Sequence, residues 1–445
     1  MKNIFVIGAG RTATALINYL LDNASEHNWN VCVGDSDYGL AQQKTGNHPS
    51  GRAIKFDALN EEERAGEISG ADIVISFLPP SMHELIAVEC LKQKTNMITA
   101  SYVTSEMMKL DEDVKKNGLI FLNEIGLDPG IDHMDVMQLK EKVEGDGGRI
   151  FSLKSFCGAL ITPESDDNPW HYKFTWSPMN VVLAGQGFAR YKENSEIKEV
   201  PYDKLFLNTE IIHVPGLGAF EAYPNRDSVS YIQKYNLTGV EDFYRGTLRK
   251  PGYCKAWNAL IKLGLTENSR TLQNINGLTL MDWVRSAMPD KSGLPIEEQV
   301  TDYLEISVDS DIMQKLNWLG LFSSRKINLK EGTSAQILLD LLLEKWEFKE
   351  GDRDMVVLQT EILYKTGSKK KKILSTMIYK GRDRLNTAMT YTAGLPAGIA
   401  AGLIVEGRIK ERGVIIPVYE DIYKPVLAEL EQYGISFSES VSVAV

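Results

Sequence analysis

The sequence predicts an α/β protein: a doubly wound parallel sheet, a second α/β domain, and an inserted helical subdomain. Three observations predict it. Short β-branched and aromatic runs recur through the first 125 residues, with helical patterns between most of them. A glycine-rich turn follows the first of these runs directly. Beyond about residue 250 the apolar spacing becomes helical, and it then returns to two alternating runs.

The 445 residues exceed what one core ordinarily organises and point to two or three domains. Apolar residues make up 43%, enough for a large core and too many for a disordered chain. With 49 Lys and Arg against 60 Asp and Glu, the net charge is -11. That balance argues against nucleic acid or an anionic membrane as the main partner. A small anionic substrate stays open, because it needs only a local Arg. The residues before the first glycines are too few for a signal peptide. No apolar run approaches the roughly 20 residues a membrane helix needs. Cys32, Cys90, Cys157 and Cys254 stand far apart and read as reduced thiols, so a cytoplasmic location is expected. No His pair has helical metal spacing, and no metal is expected.

Lys2–Ile7 reads as a strand and Thr14–Asn23 as a helix, joined by Gly8-Ala9-Gly10-Arg11-Thr12-Ala13. In this G-x-G-x-x-A pattern Gly8 permits the tight turn and Gly10 lets backbone approach a pyrophosphate. Ala13 lets helix and strand pack closely, and free helix N–H groups receive the phosphates. Asn30–Gly34 is a second strand ending at Asp35, where an acid meets a ribose 2′-hydroxyl. Further strands are expected at Ala53–Phe56, ending at Asp57, and at Asp72–Phe77, Asn96–Ala100 and Leu119–Leu122. Six strands at this rhythm make a dinucleotide-binding sheet. Asp35 repels a 2′-phosphate, and Ser36-Asp37 supplies no Arg, so NAD is expected with NADP as the alternative. Strand ends face the crevice of such a sheet. That nominates Ser76 and Phe77, then Ser101 and Tyr102.

Asn123–His133 sets two Gly and a Pro around Asp128, at the joint between the nucleotide pattern and a downstream chain of different rhythm. An acid there suits a nicotinamide-dependent reductase. Phe151–Cys157 starts a second sheet, and the polar stretch Gly158–His171 reads as a structured loop. Trp176 either walls a pocket or fills core. Arg226, between a Pro turn and Asp227, can grip a carboxylate bidentately or pair locally. Arg245-Gly246-Thr247-Leu248-Arg249 adds cations and a hydroxyl. Helices are expected at Trp257–Leu265, Thr279–Met288, Ile296–Leu304, Ile312–Leu319 and Ala335–Trp346. Two strands come next, Asp354–Tyr364 and Lys371–Tyr379, with Lys369–Lys372 as a solvated hairpin tip. The last helix is expected at Asn386–Glu406, small-faced through Gly394, Gly398 and Gly402, and too poor in apolar residues to be a membrane span. The expected domains are 1–125 with 385–445, 126–250 with 347–384, and a helical subdomain 251–346.

These motifs resemble the saccharopine reductase family, the glutamate-forming saccharopine dehydrogenases, over nearly the whole chain. The likeness is densest at Asn123–His133, Tyr172–Ser177, Tyr223–Ser228 and Arg245–Arg249, and persists around Gly394-Leu395-Pro396. It implies a Rossmann domain closed by the C-terminal helix, a second α/β domain that binds the amino-acid substrate and forms a homodimer, and a helical third domain. The residues matching the family's substrate contacts are Ser101, Tyr102, Asp128, Cys157, Trp176, Arg226 and Thr247. Tyr102, Asp128 and Cys157 are the candidates for chemistry. Those matching its cofactor contacts are Gly10, Arg11, Thr12, Ala13, the end of strand two at Asp35 and Ser36, then Ser76, Phe77 and Leu127; Gly8 and Asp57 join them from the strand pattern. The implied reaction interconverts saccharopine with glutamate and 2-aminoadipate 6-semialdehyde by hydride transfer at an imine carbon. The alternatives are another imine reductase, lysine-forming or carboxyspermidine-type, or a non-catalytic nucleotide sensor. The chain departs from the family at Asp35-Ser36, at Gly158-Ala159 and at Trp170-His171, the last two bearing on substrate fit.

Overall fold

The computed structural model describes residues 1–289 and 293–444, in two units: Met1–Ile150 with Leu363–Val445, and Phe151–Ile362. In the first unit a parallel sheet takes six strands from the expected rhythm: β1 (Lys2–Ile7), β2 (Trp29–Asp35), β3 (Gly51–Lys55), β4 (Ile73–Ser76), β5 (Asn96–Thr99) and β6 (Ile120–Leu122). Among the described residues a seventh, Gly413–Ile415, joins the edge of β6, and the six-strand expectation is corrected. Three residues carry too little pattern to be read as a strand; the neighbouring β6 backbone recruits them. The sheet is parallel, in the order Gly413–Ile415, β6, β5, β4, β1, β2, β3. The strand order therefore reverses between β1 and β4, which opens a crevice at their carboxyl ends.

The small-faced helix spans Ala388–Val405 and packs on the helix Thr14–Asp22. A Cβ at Gly394 would lie 3.0 Å from the Leu16 amide nitrogen, and one at Gly398 would lie 2.8 Å from Tyr19 Cδ1. Only glycine permits that approach. The sequence expectation needs two corrections here. This helix has the length and mean hydropathy, 1.5, to cross a membrane, because Ala and Gly count toward hydropathy; yet 83% of it is buried within the protein, as in a core helix. Nor is it the last helix. Glu420–Gln432 comes after it, an amphipathic run with Ile422, Val426 and Leu430 inward.

The second unit is built on a mixed sheet. Its strands include β7 (Arg149–Ile161), β8 (Phe188–Glu193), β9 (Glu196–Pro201), β10 (Glu210–Val214), β11 (Gly218–Pro224) and β12 (Asp242–Arg249). The order β10, β11, β12, β7 continues to the strand Asp354–Thr366, and β8 pairs antiparallel with both β9 and β12. The expected loop from Gly158 is corrected in its first residues. β7 runs on to Ile161, with Leu160 and Ile161 buried and Gly158 so close to β12 that a Cβ would meet Leu248 at 2.9 Å. Helices Tyr253–Lys262, Leu280–Ser286, Ile296–Leu304, Asp311–Leu319 and Ser334–Lys345 share one apolar core with these strands. Capping boxes at Thr279 and Thr333 start two of them. Trp170 meets Trp257 and Trp346 edge to face in that core, those two stack on each other, and Trp170 Nε1 donates to the Lys315 carbonyl at 3.1 Å. Trp170 is thus a core residue.

Candidate functional site

The glycine turn has the shape its pattern implies. Gly8 has φ +101°, and a Cβ there would lie 2.8 Å from the Phe77 carbonyl oxygen, so any side chain is excluded. Gly10 faces open space: a Cβ would meet nothing within 4 Å. Backbone and the N-terminal N–H groups of the turn Arg11–Ala13, which leads into Thr14–Asp22, are thus accessible to a diphosphate. Arg11 is exposed, Thr12 half-buried and Ala13 fully buried against the sheet.

Asp35 ends β2 beside this turn. Its carboxylate accepts from the Ala9 N–H at 2.7 Å and from the Asp37 N–H at 2.9 Å. Two amides therefore fix a half-buried acid next to the phosphate cradle, and both oxygens keep lone pairs for ribose hydroxyls. Ser36 is exposed and leans on Asp35. Asp57 is exposed and its carboxylate accepts from the Leu59 N–H within its own turn, at 2.9 Å. Leu127 is buried, and Phe77 is half-buried with its N–H on the Ile7 carbonyl. The fit to a dinucleotide rests on the open cradle at Gly10 and the oriented carboxylate of Asp35.

At the carboxyl ends of β4 and β5 a histidine missed by the sequence reading organises the crevice. His83 is the first residue of the helix His83–Gln93 and is buried. Its Nδ1 lies 2.9 Å from Ser76 Oγ; its Nε2 lies 2.8 Å from Ser101 Oγ and 3.1 Å from Thr99 Oγ1. Ser76 is completely buried, its hydroxyl turned onto the ring. Ser101 is half-buried. Burial pushes the His83 pKa down from 6.5 to about 4, so the ring is neutral at physiological pH. The available signal was its place, just past a strand end, after Leu78-Pro79-Pro80.

The stretch Asn123–His133 folds back on the same crevice. Glu124 has φ +58° and is buried; its Oε1 accepts from the Val103 N–H at 3.1 Å, and its Oε2 lies 2.9 Å from His133 Nε2. The Glu124 N–H donates to the Ser101 carbonyl. Asp132 accepts from the Gly130 N–H at 2.6 Å, at the entry to the helix Ile131–Gly145. These buried acids and His133 hold the turn, and they leave Asp128, after which the peptide bond to Pro129 is cis, half-buried at its tip. The Tyr102 hydroxyl donates to Asp128 Oδ1 at 3.1 Å. Of the expected residues in this unit, Ser76 and Ser101 meet through His83, and Tyr102 meets Asp128.

In the second unit a separate cluster forms on the sheet. Cys157 of β7, Thr247 of β12 and Tyr223 of β11 are register partners across three adjacent strands. Alternation along β12 places Arg245, Thr247 and Arg249 on one face. Arg249 is buried, its guanidinium carbon 5.0 Å from the Tyr172 ring centroid, 5.3 Å from that of Tyr253 and 5.8 Å from that of Tyr223. Among the described residues it has no carboxylate within ion-pairing distance. Half-buried Trp176 donates from Nε1 to the Tyr172 hydroxyl at 3.0 Å. Burial raises the Tyr172 pKa, against the pull of Arg249, so that hydroxyl stays protonated. Trp176, Thr247 and Cys157 are therefore brought together around Tyr172, Tyr223 and Arg249. Arg226, at φ +49°, is exposed at the end of β11. The sequence reading noted Arg249 without assigning it; the alternation Arg245-x-Thr247-x-Arg249 was the signal.

Comparison with known proteins bears on both units. Residues 4–122 match the saccharopine dehydrogenase NADP binding domain, and residues 126–435 match the saccharopine dehydrogenase C-terminal domain. The chain is 31% identical to "Saccharopine dehydrogenase [NADP(+), L-glutamate-forming]" of Pyricularia oryzae, over 99% of both chains. The Saccharomyces cerevisiae protein of the same name is 31% identical over 98% of this chain and 99% of its own length. It is also 32% identical to the bovine mitochondrial alpha-aminoadipic semialdehyde synthase over 99% of this chain, but the chain spans about half of that longer relative, 48%. Among solved structures, apo saccharopine dehydrogenase (L-Glu forming) from Saccharomyces cerevisiae superposes with a TM-score of 0.88 at 29% identity, covering 99% of this chain and 100% of the other. With the phosphate cradle, the oriented Asp35 and the Asn123–His133 turn in place, these matches make the chain a member of the saccharopine dehydrogenase family.

Proposed function

We propose that this protein is an NAD(P)-dependent saccharopine dehydrogenase of the L-glutamate-forming kind, interconverting saccharopine with glutamate and 2-aminoadipate 6-semialdehyde. One observation carries the reading: the match to L-glutamate-forming enzymes extends end to end in both partners, 99% of each. When bound, the nicotinamide supplies a hydride acceptor for the carbon beside the secondary amine, or a donor in reverse. The resulting imine takes up water at carbon and splits to amine and aldehyde.

The side chains bind and orient. Asp128, a carboxylate held by the Tyr102 hydroxyl, favours a cationic nitrogen on the substrate and strengthens that preference as iminium character grows. Ser101 offers a half-buried hydroxyl from the strand end. Trp176 and Thr247, with Cys157, line the cluster around Tyr172, and Arg249 places a buried positive charge behind them that suits a substrate of several carboxylates. Arg226 is assigned to a substrate carboxylate. Gly8 to Ala13, Asp35, Ser36, Phe77 and Leu127 are assigned to the dinucleotide, with Asp57 at its adenine side. Ser76 serves through its backbone and through His83. Asp35 favours NAD, although the fungal relatives are named for NADP(+).

Following the reduced-nicotinamide absorbance with saccharopine plus NAD or NADP tests this. Turnover with saccharopine supports the proposal; turnover only with another secondary amine assigns the rival imine-reductase reading, and none with either refutes catalysis. A homodimer in the cytoplasm completes the reading, checked by sedimentation and fractionation.

A further inference from the structure

We propose that His83 is the positioning residue for Ser101: anchored by Ser76 at one ring nitrogen, it fixes the Ser101 hydroxyl with the other. The inference deepens the function proposed above, because it takes Ser101 as an amino-acid contact. Three features of the first unit carry it. Ser76 is fully buried, so its hydroxyl has no role toward a ligand and its contact at 2.9 Å serves the ring. The ring is itself buried at the start of a helix, so it cannot swing away. Ser101, by contrast, is half-buried, so its hydroxyl holds one bond inward, to Nε2 at 2.8 Å, and keeps capacity outward.

The chemistry of a neutral imidazole adds direction. One ring nitrogen donates and the other accepts. The Ser101 hydroxyl therefore either donates into the ring and offers only lone pairs to a ligand, or accepts from the ring and offers its hydrogen. The tautomer of the neutral ring thus sets the polarity of the exposed hydroxyl, not merely its place. Burial, which holds the ring neutral, keeps one ring nitrogen an acceptor through the physiological range. Thr99 reinforces the arrangement: its hydroxyl oxygen lies 3.1 Å from Nε2 and accepts from the Ser101 N–H at 3.2 Å. The Ser101 backbone is fixed in turn by its carbonyl, which accepts from Glu124.

Two substitutions separate the ring nitrogens. His83→Asn presents an amide near the position of Nδ1 and retains the Ser76 bond while losing Ser101. His83→Gln presents one near Nε2 and retains Ser101. With saccharopine as substrate, His83→Asn is expected to raise the amino-acid KM about tenfold while leaving the nucleotide KM within about twofold. His83→Gln is expected to recover most of that loss. The double variant His83→Asn with Ser101→Ala is expected to be no worse than Ser101→Ala alone, since both remove one interaction. Equal effects of Asn and Gln, or additivity in the double variant, would overturn the assignment.

A second measurement stands apart from turnover. In NMR spectra of protein with isotope-labelled histidine ring nitrogens, Ser101→Ala is expected to shift the His83 Nε2 resonance and Ser76→Ala the Nδ1 resonance. Unmoved resonances would overturn the link whatever the substrate is. A wild-type protein inactive on saccharopine, with both shifts present, would instead refute the substrate reading and leave the His83–Ser101 link standing.

Discussion

Replacing Asp35 by Asn keeps the size of the side chain and removes its charge, and the consequence for cofactor choice can be worked out. The carboxylate is held by the Ala9 and Asp37 amides at 2.7 and 2.9 Å, so it cannot rotate away from a ribose seated on the glycine turn. A 2′-phosphate on that ribose would bring its charge within about 5 Å of the acid. At an effective dielectric constant of about 40, apt for a half-exposed site, Coulomb's law gives about 1.7 kcal/mol of repulsion per unit of phosphate charge. Salt trims this value. Asparagine removes the repulsion, so the KM for NADP is expected to fall about tenfold. The same change weakens a charge-assisted hydrogen bond to the ribose, worth about 1.5–3 kcal/mol, so the KM for NAD is expected to rise about tenfold or more. The ratio of kcat/KM for NAD over NADP should therefore drop about 100-fold. Initial rates at low and high salt measure it, with the NADP gain shrinking at high salt. A ratio unchanged within about threefold, or a wild-type enzyme that already prefers NADP, would refute the role given to Asp35.

Other expectations rest on single contacts. Because burial lowers the His83 pKa to about 4, the unfolded chain binds a proton below pH 6.5 that the folded chain refuses. Stability is therefore lost as pH falls from about 6.5 toward 4, by up to about 2–3 kcal/mol from this group. Urea melts at pH 7 and 4.5 should show a smaller drop for His83→Gln than for wild type; equal drops would refute it. Gly130→Ala would put a Cβ 2.1 Å from the Gly126 carbonyl oxygen at φ +147°, and is expected to cost more than about 4 kcal/mol and abolish soluble folded protein by circular dichroism. A normal melting curve would count against that geometry. Gly394→Val on the small-faced helix is expected to destabilise the protein by about 1–3 kcal/mol through overpacking on Leu16, read as a lower melting temperature by calorimetry. Tyr172→Phe leaves the Trp176 indole N–H without its acceptor at 3.0 Å. It should cost about 1 kcal/mol in urea melts and raise the amino-acid KM without changing nucleotide binding; a changed nucleotide KM would contradict the separation of roles.

The particular residues show where reading a sequence succeeds. The glycine turn, Asp35 and the strand rhythm of β1 to β6 were legible because each depends on neighbours within a few residues. Ile296–Leu304 was placed to the residue, since its apolar spacing is helical and uninterrupted. The strand Gly413–Ile415 was not, because three residues have no period; a β6 edge nearly 300 residues earlier in the chain makes them a strand. The helix Ala388–Val405 was recognised by its small face, yet its apolar content was undervalued, since burial and not composition distinguishes a core helix from a membrane one.

By itself the sequence determined the nucleotide sheet, the kind of turn at its first strand, and the acid beside it, since these depend on local φ/ψ preference and periodicity. Only the tertiary structure decided that His83 joins Ser76 to Ser101 and that Arg249 sits among three tyrosines. Those partnerships come from which strands lie side by side and in what register. That arrangement is set by burial of the whole core, and no short window of residues contains it.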